Sequence, residues 1–141
     1  MSSSMLLKVI LRFGGVLLSS AAVAVFLPRE TMAAATTWLG LAPLPDVPLT
    51  FYLARSASAL YAIHGSVLLL ASTDPARYRP LVLLLGGTNV LLGAALIGID
   101  VSAGMPRWWT LAEGPTVVVI GVVLLALAAP LGQERPGTTK G

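Results

Sequence analysis

Four apolar stretches, at about 6–27, 51–71, 81–99 and 114–131, fill most of this 141-residue chain. Inside hydrocarbon no water is at hand to satisfy backbone N–H and C=O groups, so a spanning segment must bond within itself as a helix or join a closed barrel. At 1.5 Å rise per residue, runs of about 18–22 residues cover roughly 27–33 Å, the thickness of a bilayer's hydrocarbon core. The expected fold is therefore all-α. It is a polytopic membrane protein, a bundle of four transmembrane helices forming a single domain over residues 1–131, with short interfacial helices in the outer loops.

Composition supports that solvent assignment. Soluble domains carry about a quarter charged residues, whereas this chain is 11% charged and 56% hydrophobic. Its apolar residues exceed what one small aqueous core encloses, so lipid must cover much of the surface. The absence of cysteine excludes thiol–disulfide chemistry, thiolate metal sites and covalent haem attachment through CxxCH. The nine Lys and Arg residues are dispersed, which reads as topology control rather than a nucleic-acid surface.

Along the chain, Lys8 and Arg12 sit at the start of span one, placed to snorkel to headgroups, and Pro28 ends it. A cleaved signal peptide is the competing reading, with Ala22-Val23-Ala24 as a small-residue cleavage site. The apolar run continues to Leu27, which favours an uncleaved anchor. The Ala- and Thr-rich stretch Glu30 to Leu41, with Trp38 near its end, fits a short helix lying at the interface. Pro43, Pro45 and Pro48 then enforce an extended path, and Thr50 is placed to cap span two. Asp74-Pro75 reads as a turn or helix start. Trp108 and Trp109 fit an aromatic belt in an outer loop. Glu113 sits at the start of span four, where the helix dipole favours an acid, and Pro115 falls in the first turn. Residues 132–141 are polar and rich in Gly and Pro, expected as a disordered cytoplasmic tail.

Orientation follows from the basic residues. Lys8, Arg12, Arg77, Arg79, Arg135 and Lys140 fall on one face of a four-span topology, against Arg29, Arg55 and Arg107 on the other. Six against three predicts both termini in the cytoplasm and a multi-pass location in a bacterial inner membrane.

Lipid gives helices no hydrophobic reason to associate, so close backbone approach at small residues marks their contacts. Span two carries Ala54, Ser58, Ala62 and Ser66 at spacing four, and span three carries Gly86 and Gly93 among other small residues. Spans two and three are the expected centre of the bundle. Span four, rich in Val and Leu, is expected to face lipid.

Intramembrane ionisable groups are costly and are the default place to seek function. Arg55 lies one turn inside span two, about 40° from the small-residue stripe at 100° per residue. Asp100 and Glu113 lie at similar depth on spans three and four. Read plainly, these charges pair and tie three helix ends together. Read functionally, they form an outward-facing pocket for a charged ligand, with Arg55 as the anion contact and Trp108 and Trp109 as walls. His64, the single histidine, points away from Arg55. It matches Asn89 in depth, so a His64–Asn89 hydrogen bond is expected. A proton relay or axial haem or chlorin ligation would need a second group, and none is evident. No nucleophile–base pair and no metal cage can be assembled, so neither a catalytic residue nor a metal or cofactor is assigned.

In size and layout the chain resembles small bacterial four-span proteins, including the DoxX-like group. That likeness rests on topology and implies only a four-helix membrane fold. The expected role is a non-catalytic subunit or scaffold whose partners are the bilayer and either itself or a larger membrane complex. The alternatives are small-molecule binding or transport through the Arg55 cluster, and a membrane-embedded enzyme acting on lipid or quinone with His64 as its acid–base group.

Overall fold

The computed structural model describes residues 2–132, and within them every regular element is helical. The elements are α1 (Ser3–Ser19), α2 (Ala22–Phe26), α3 (Arg29–Trp38), α4 (Pro48–Thr73), α5 (Arg79–Ala103) and α6 (Arg107–Ala128), followed by a 3-10 turn at Pro130–Gly132. Four segments are long and apolar enough to cross a membrane: Ser3–Phe26, Pro48–Thr73, Arg79–Ala103 and Arg107–Ala128. The expected all-α, four-span class is thus the observed one. Residues 133–141, most of the expected tail, lie outside the described residues.

Each span begins before its apolar run, because a helix continues into the headgroup region as long as its backbone can bond. At 26 residues, α4 measures about 39 Å, some 9 Å more than the hydrocarbon core needs. It begins at Pro48, so Thr50 lies inside the helix rather than capping it. Proline serves well there because its missing N–H is one that a first turn leaves unbonded in any case. Span four departs furthest from expectation. It starts at Arg107, about two turns before Gly114, and Pro115 lies in its interior. Trp108, Trp109 and Glu113 therefore ride on the helix itself, and Glu113 is not at its N-terminus. A run of apolar residues marks where hydrocarbon begins, whereas helix geometry can start in water.

The first span is interrupted. Ser20 Oγ donates to the Leu17 carbonyl at 2.6 Å, and the next bonds tighten to three-residue spacing, Ala21 N–H to Leu18 O and Ala24 N–H to Ala21 O. A serine hydroxyl competing for a helical carbonyl bends the ladder in this way. Both Gly40 and Gly104 have left-handed φ angles, 70° and 68°. Each closes a helix with a Schellman motif. After α3, Leu41 N–H reaches Thr36 O and Gly40 N–H reaches Thr37 O; after α5, Met105 N–H reaches Asp100 O and Gly104 N–H reaches Val101 O. Between α4 and α5, Asp74 holds the turn twice, accepting the Arg77 N–H on Oδ1 at 3.1 Å and the Tyr78 N–H on its carbonyl at 3.0 Å.

The chain divides into two compact units, Leu11–Leu70 and the combination of Met1–Ile10 with Ala71–Gly141. In the Leu11–Leu70 unit, α1 and α4 meet at glycine. A Cβ on Gly65 would lie 2.5 Å from Ser19 N and 2.7 Å from Gly15 O, and one on Gly15 would lie 2.8 Å from the Leu69 side chain. Beyond α3, Arg29 stands 5.0 Å over the Phe51 ring and 3.9 Å from Asp46. These contacts fasten the extended segment Gly40–Val47 to the start of α4, while Met32 buries the inner face of α3.

In the second unit, α5 and α6 form an antiparallel hairpin closed by two glycine pairs. Gly86 meets Gly121, and Gly93 meets Gly114. A Cβ on Gly86 would sit 3.0 Å from Gly121 O, and one on Gly93 would sit 2.7 Å from Gly114 O. Leu124 is 1% exposed and Ala128 is fully buried. Span four, expected to face lipid, packs its glycine face against α5, while Leu111, Val119 and Val122 on it stay exposed.

Candidate functional site

Four of the expected site residues, Asp100, Trp108, Trp109 and Glu113, lie on α5 and α6 toward the Gly104 turn. The Schellman turn at Gly104 reverses the chain within three residues, one turn after Asp100, whose carbonyl accepts the Met105 N–H. Asp100 is only 4% exposed, and its Oδ2 has no hydrogen-bond partner among the described residues. A buried carboxylate oxygen without a donor is costly, so this atom marks the least satisfied point on the hairpin.

Four residues on from Trp109, one helical turn, stands Glu113. Trp109 Nε1 donates to Glu113 Oε2 at 2.5 Å. The bond is charge-assisted and explains why a carboxylate is tolerated inside a span. Trp108 meets Trp109 edge to face, with centroids 5.5 Å apart and planes at 74°. Of the five residues expected to form one ligand cluster, Trp108, Trp109 and Glu113 are in direct contact along α6, and Asp100 lies on the same hairpin. Arg55 belongs to the other unit. It donates through Nη2 to the Leu27 carbonyl at 3.0 Å, and its Nε is buried without a partner. Leu27 follows the last turn of α2, so Arg55 supplies a donor to a carbonyl that the helix leaves free.

His64 is half-buried on α4 in the Leu11–Leu70 unit, and Asn89 is buried on α5 in the other. Both hydroxyls of the α4 stripe bond within their own helix: Ser58 Oγ donates to Ala54 O at 2.9 Å, and Ser66 Oγ to Ala62 O at 3.0 Å. Gly65, neighbouring Ser66 in sequence, is where α4 closely approaches the backbone of α1 at Ser19 and Gly15.

Sequence reasoning passed over three features. Gly114 and Gly121 repeat at the seven-residue spacing of Gly86 and Gly93, a pattern visible in the sequence once the helices are paired antiparallel. Gly15 was hidden because its partner, Gly65, is 50 residues away. Arg79, counted only as a basic residue, reaches the far end of the hairpin. Its Nε donates to Ala128 O at 2.9 Å and its Nη2 to Ala129 O at 3.2 Å. A cation at a helix C-terminus satisfies orphan carbonyls and complements the dipole.

Among the described residues no three His, Asp or Glu side chains gather as a metal-ligand group. The hairpin offers instead a buried carboxylate oxygen and an aromatic–carboxylate pair, set at the end of two membrane-length helices. These features define a small multi-pass α-helical membrane protein. No protein-family model matches its sequence, and no curated protein or solved structure matches it either.

Proposed function

We propose that this protein is a non-catalytic membrane subunit or scaffold that associates with a second copy of itself or with a larger membrane assembly. One observation carries the reading. On α5, Gly87, Ala94 and Gly98 share one face, about 100° round the helix from the Gly86–Gly93 face that α6 occupies. A Cβ on Gly87 or Gly98 would meet nothing within 4 Å, and Ala94 is exposed. Hydrocarbon does not require small residues on a lipid-facing surface, whereas a neighbouring helix does.

The excess of basic residues around Lys8, Arg12, Arg77 and Arg79 supports termini on the cytoplasmic side of an inner membrane. Crosslinking in native membranes through cysteines placed at Gly87 and Gly98 is the test, since the natural chain has no thiol to interfere. A crosslinked dimer or a recovered partner is expected. A strictly monomeric species under mild extraction, with no partner recovered, would sink the reading.

A second reading, binding or transport of a polar small molecule, is favoured by Asp100 Oδ2. An ionisable group buried in a span without a partner is the usual mark of an ion or substrate path. Replacing Asp100 with Asn separates the two readings. Uptake or ligand binding collapses if the carboxylate works on a substrate, while oligomeric state stays unchanged.

A further inference from the structure

The glycine contacts that hold α5 and α6 together stop short of the crown. Below it, Gly114 lies against Ile97 and Gly93. One and two turns further up the same face of α6, glycine gives way to Thr110, Leu111 and Arg107, and on α5 the corresponding position is Val101. These larger side chains take the place of the glycine contacts. The result is a notch of about 360 Å³ lined by Val101, Met105, Arg107, Thr110 and Leu111, under the Gly104–Pro106 turn. Its walls are apolar, with one guanidinium and one hydroxyl. No carboxylate lines it, and Arg107 makes no ion pair or hydrogen bond among the described residues. Val101 and Leu111, 69% and 71% exposed, continue the apolar wall down the outside of the hairpin.

We infer that this notch seats one anionic phospholipid from the surrounding bilayer. Its phosphate sits against the Arg107 guanidinium and the Thr110 hydroxyl, and an acyl chain runs down along Val101 and Leu111. Three observations select that occupant. The notch lies at the end of two membrane-length helices, next to the Trp108–Trp109 pair, which is the level where headgroups meet hydrocarbon. Arg107 is a cation with no protein anion, and guanidinium pairs with phosphate in bidentate geometry. The remaining lining suits a hydrocarbon chain and offers nothing to a polar solute. The inference stands apart from the scaffold reading, because a lipid seat on one hairpin requires neither a second copy nor a protein partner.

The test uses the full chain in mild detergent, equilibrated with equal amounts of phosphatidylglycerol and phosphatidylcholine of matched acyl chains, with retained lipid counted by native mass spectrometry. One phosphatidylglycerol retained in preference to phosphatidylcholine is expected. Arg107→Gln should reduce that preference roughly fivefold, the effect of one surface cation on an anionic headgroup. Val101→Trp, which fills the notch and keeps the guanidinium, should reduce it as well. Arg29→Gln, in the other unit, should leave it intact. Millimolar inorganic phosphate should not displace the lipid. Should Arg107→Gln fail to match the wild-type melting temperature in phosphatidylcholine alone, Val101→Trp and the phosphate competition carry the test. Equal retention of the two lipids, an unchanged preference in Val101→Trp, or displacement by phosphate alone would each overturn the inference.

Discussion

Gly86 and Gly121 touch backbone to backbone across the α5–α6 hairpin. A Cβ on Gly121 would lie 2.7 Å from the Gly86 carbonyl oxygen, and one on Gly86 would lie 3.0 Å from the Gly121 carbonyl oxygen. Neither obstacle is the movable end of a side chain. Close approach of this kind replaces the hydrophobic driving force that a membrane cannot provide between helices.

Gly121→Ala is therefore expected to cost about 1–3 kcal/mol, the usual penalty for overfilling a tight contact. Gly98→Ala adds the same methyl group where nothing lies within 4 Å, so its stability should stay within about 1 kcal/mol of wild type or rise slightly, since alanine is the better helix former. Thermal unfolding of both variants in one detergent compares them directly. Equal destabilisation would show that glycine serves here for a reason other than contact.

In the other unit, Gly65→Ala meets backbone atoms of both Ser19 and Gly15. A loss at least as large as for Gly121→Ala is expected, because the obstructing atoms come from two residues of α1. Proteolysis within the Gly40–Val47 segment, timed during mild heating, reports on this unit separately. Unchanged cleavage kinetics would count against a tight α1–α4 contact.

Arg55 bonds the Leu27 carbonyl through Nη2. Arg55→Ala should destabilise the Leu11–Leu70 unit by about 1.5–3 kcal/mol, the range for a hydrogen bond to a charged group. Hydrogen exchange should accelerate around Ala24–Leu27. If Arg55→Ala leaves exchange and unfolding untouched, the guanidinium is not holding the end of α2.

Arg79 donates to both Ala128 O and Ala129 O. Arg79→Lys keeps the positive charge but lacks the two-pronged donor. Reporter fusions should therefore report unchanged topology in this variant, while amide exchange in the last turn of α6 and at Ala129 rises about three- to tenfold, equivalent to roughly 0.7–1.4 kcal/mol. Unaltered exchange would mean that charge alone suffices at this position.

Trp109 and Glu113 form a charge-assisted bond within one helix. In a chain whose other tryptophans, Trp38 and Trp108, are replaced by Phe, Glu113→Gln should shift Trp109 emission while leaving the helix intact, with a stability loss of about 1 kcal/mol. An emission spectrum indifferent to Glu113→Gln would show that the indole is solvated by something else.

How much of this was legible beforehand depended on the range of each interaction. The four spans could be read because hydropathy over about 20 consecutive residues and the 1.5 Å rise of a helix are local properties. The Asp74 turn and the α3 helix were equally local. The extension of α6 back to Arg107 was missed because an apolar run reports hydrocarbon contact, whereas helix geometry extends past it. Grouping Arg55 with Asp100, Glu113, Trp108 and Trp109 rested on shared depth alone. The hydrogen bond from Arg55 to the Leu27 carbonyl was not legible, because its partners are 28 residues apart.

The sequence by itself determined the solvent, the helical class and the number of spans, because those follow from each segment's own composition and length. Only the tertiary structure decided which helices pair, that span four packs a glycine face against α5, and that Arg79 and Arg55 end their reach on distant carbonyls. Those outcomes depend on residues such as Gly15 and Gly65, or Arg79 and Ala128, whose side-by-side placement arises from the path of the chain between them and is written in neither segment alone.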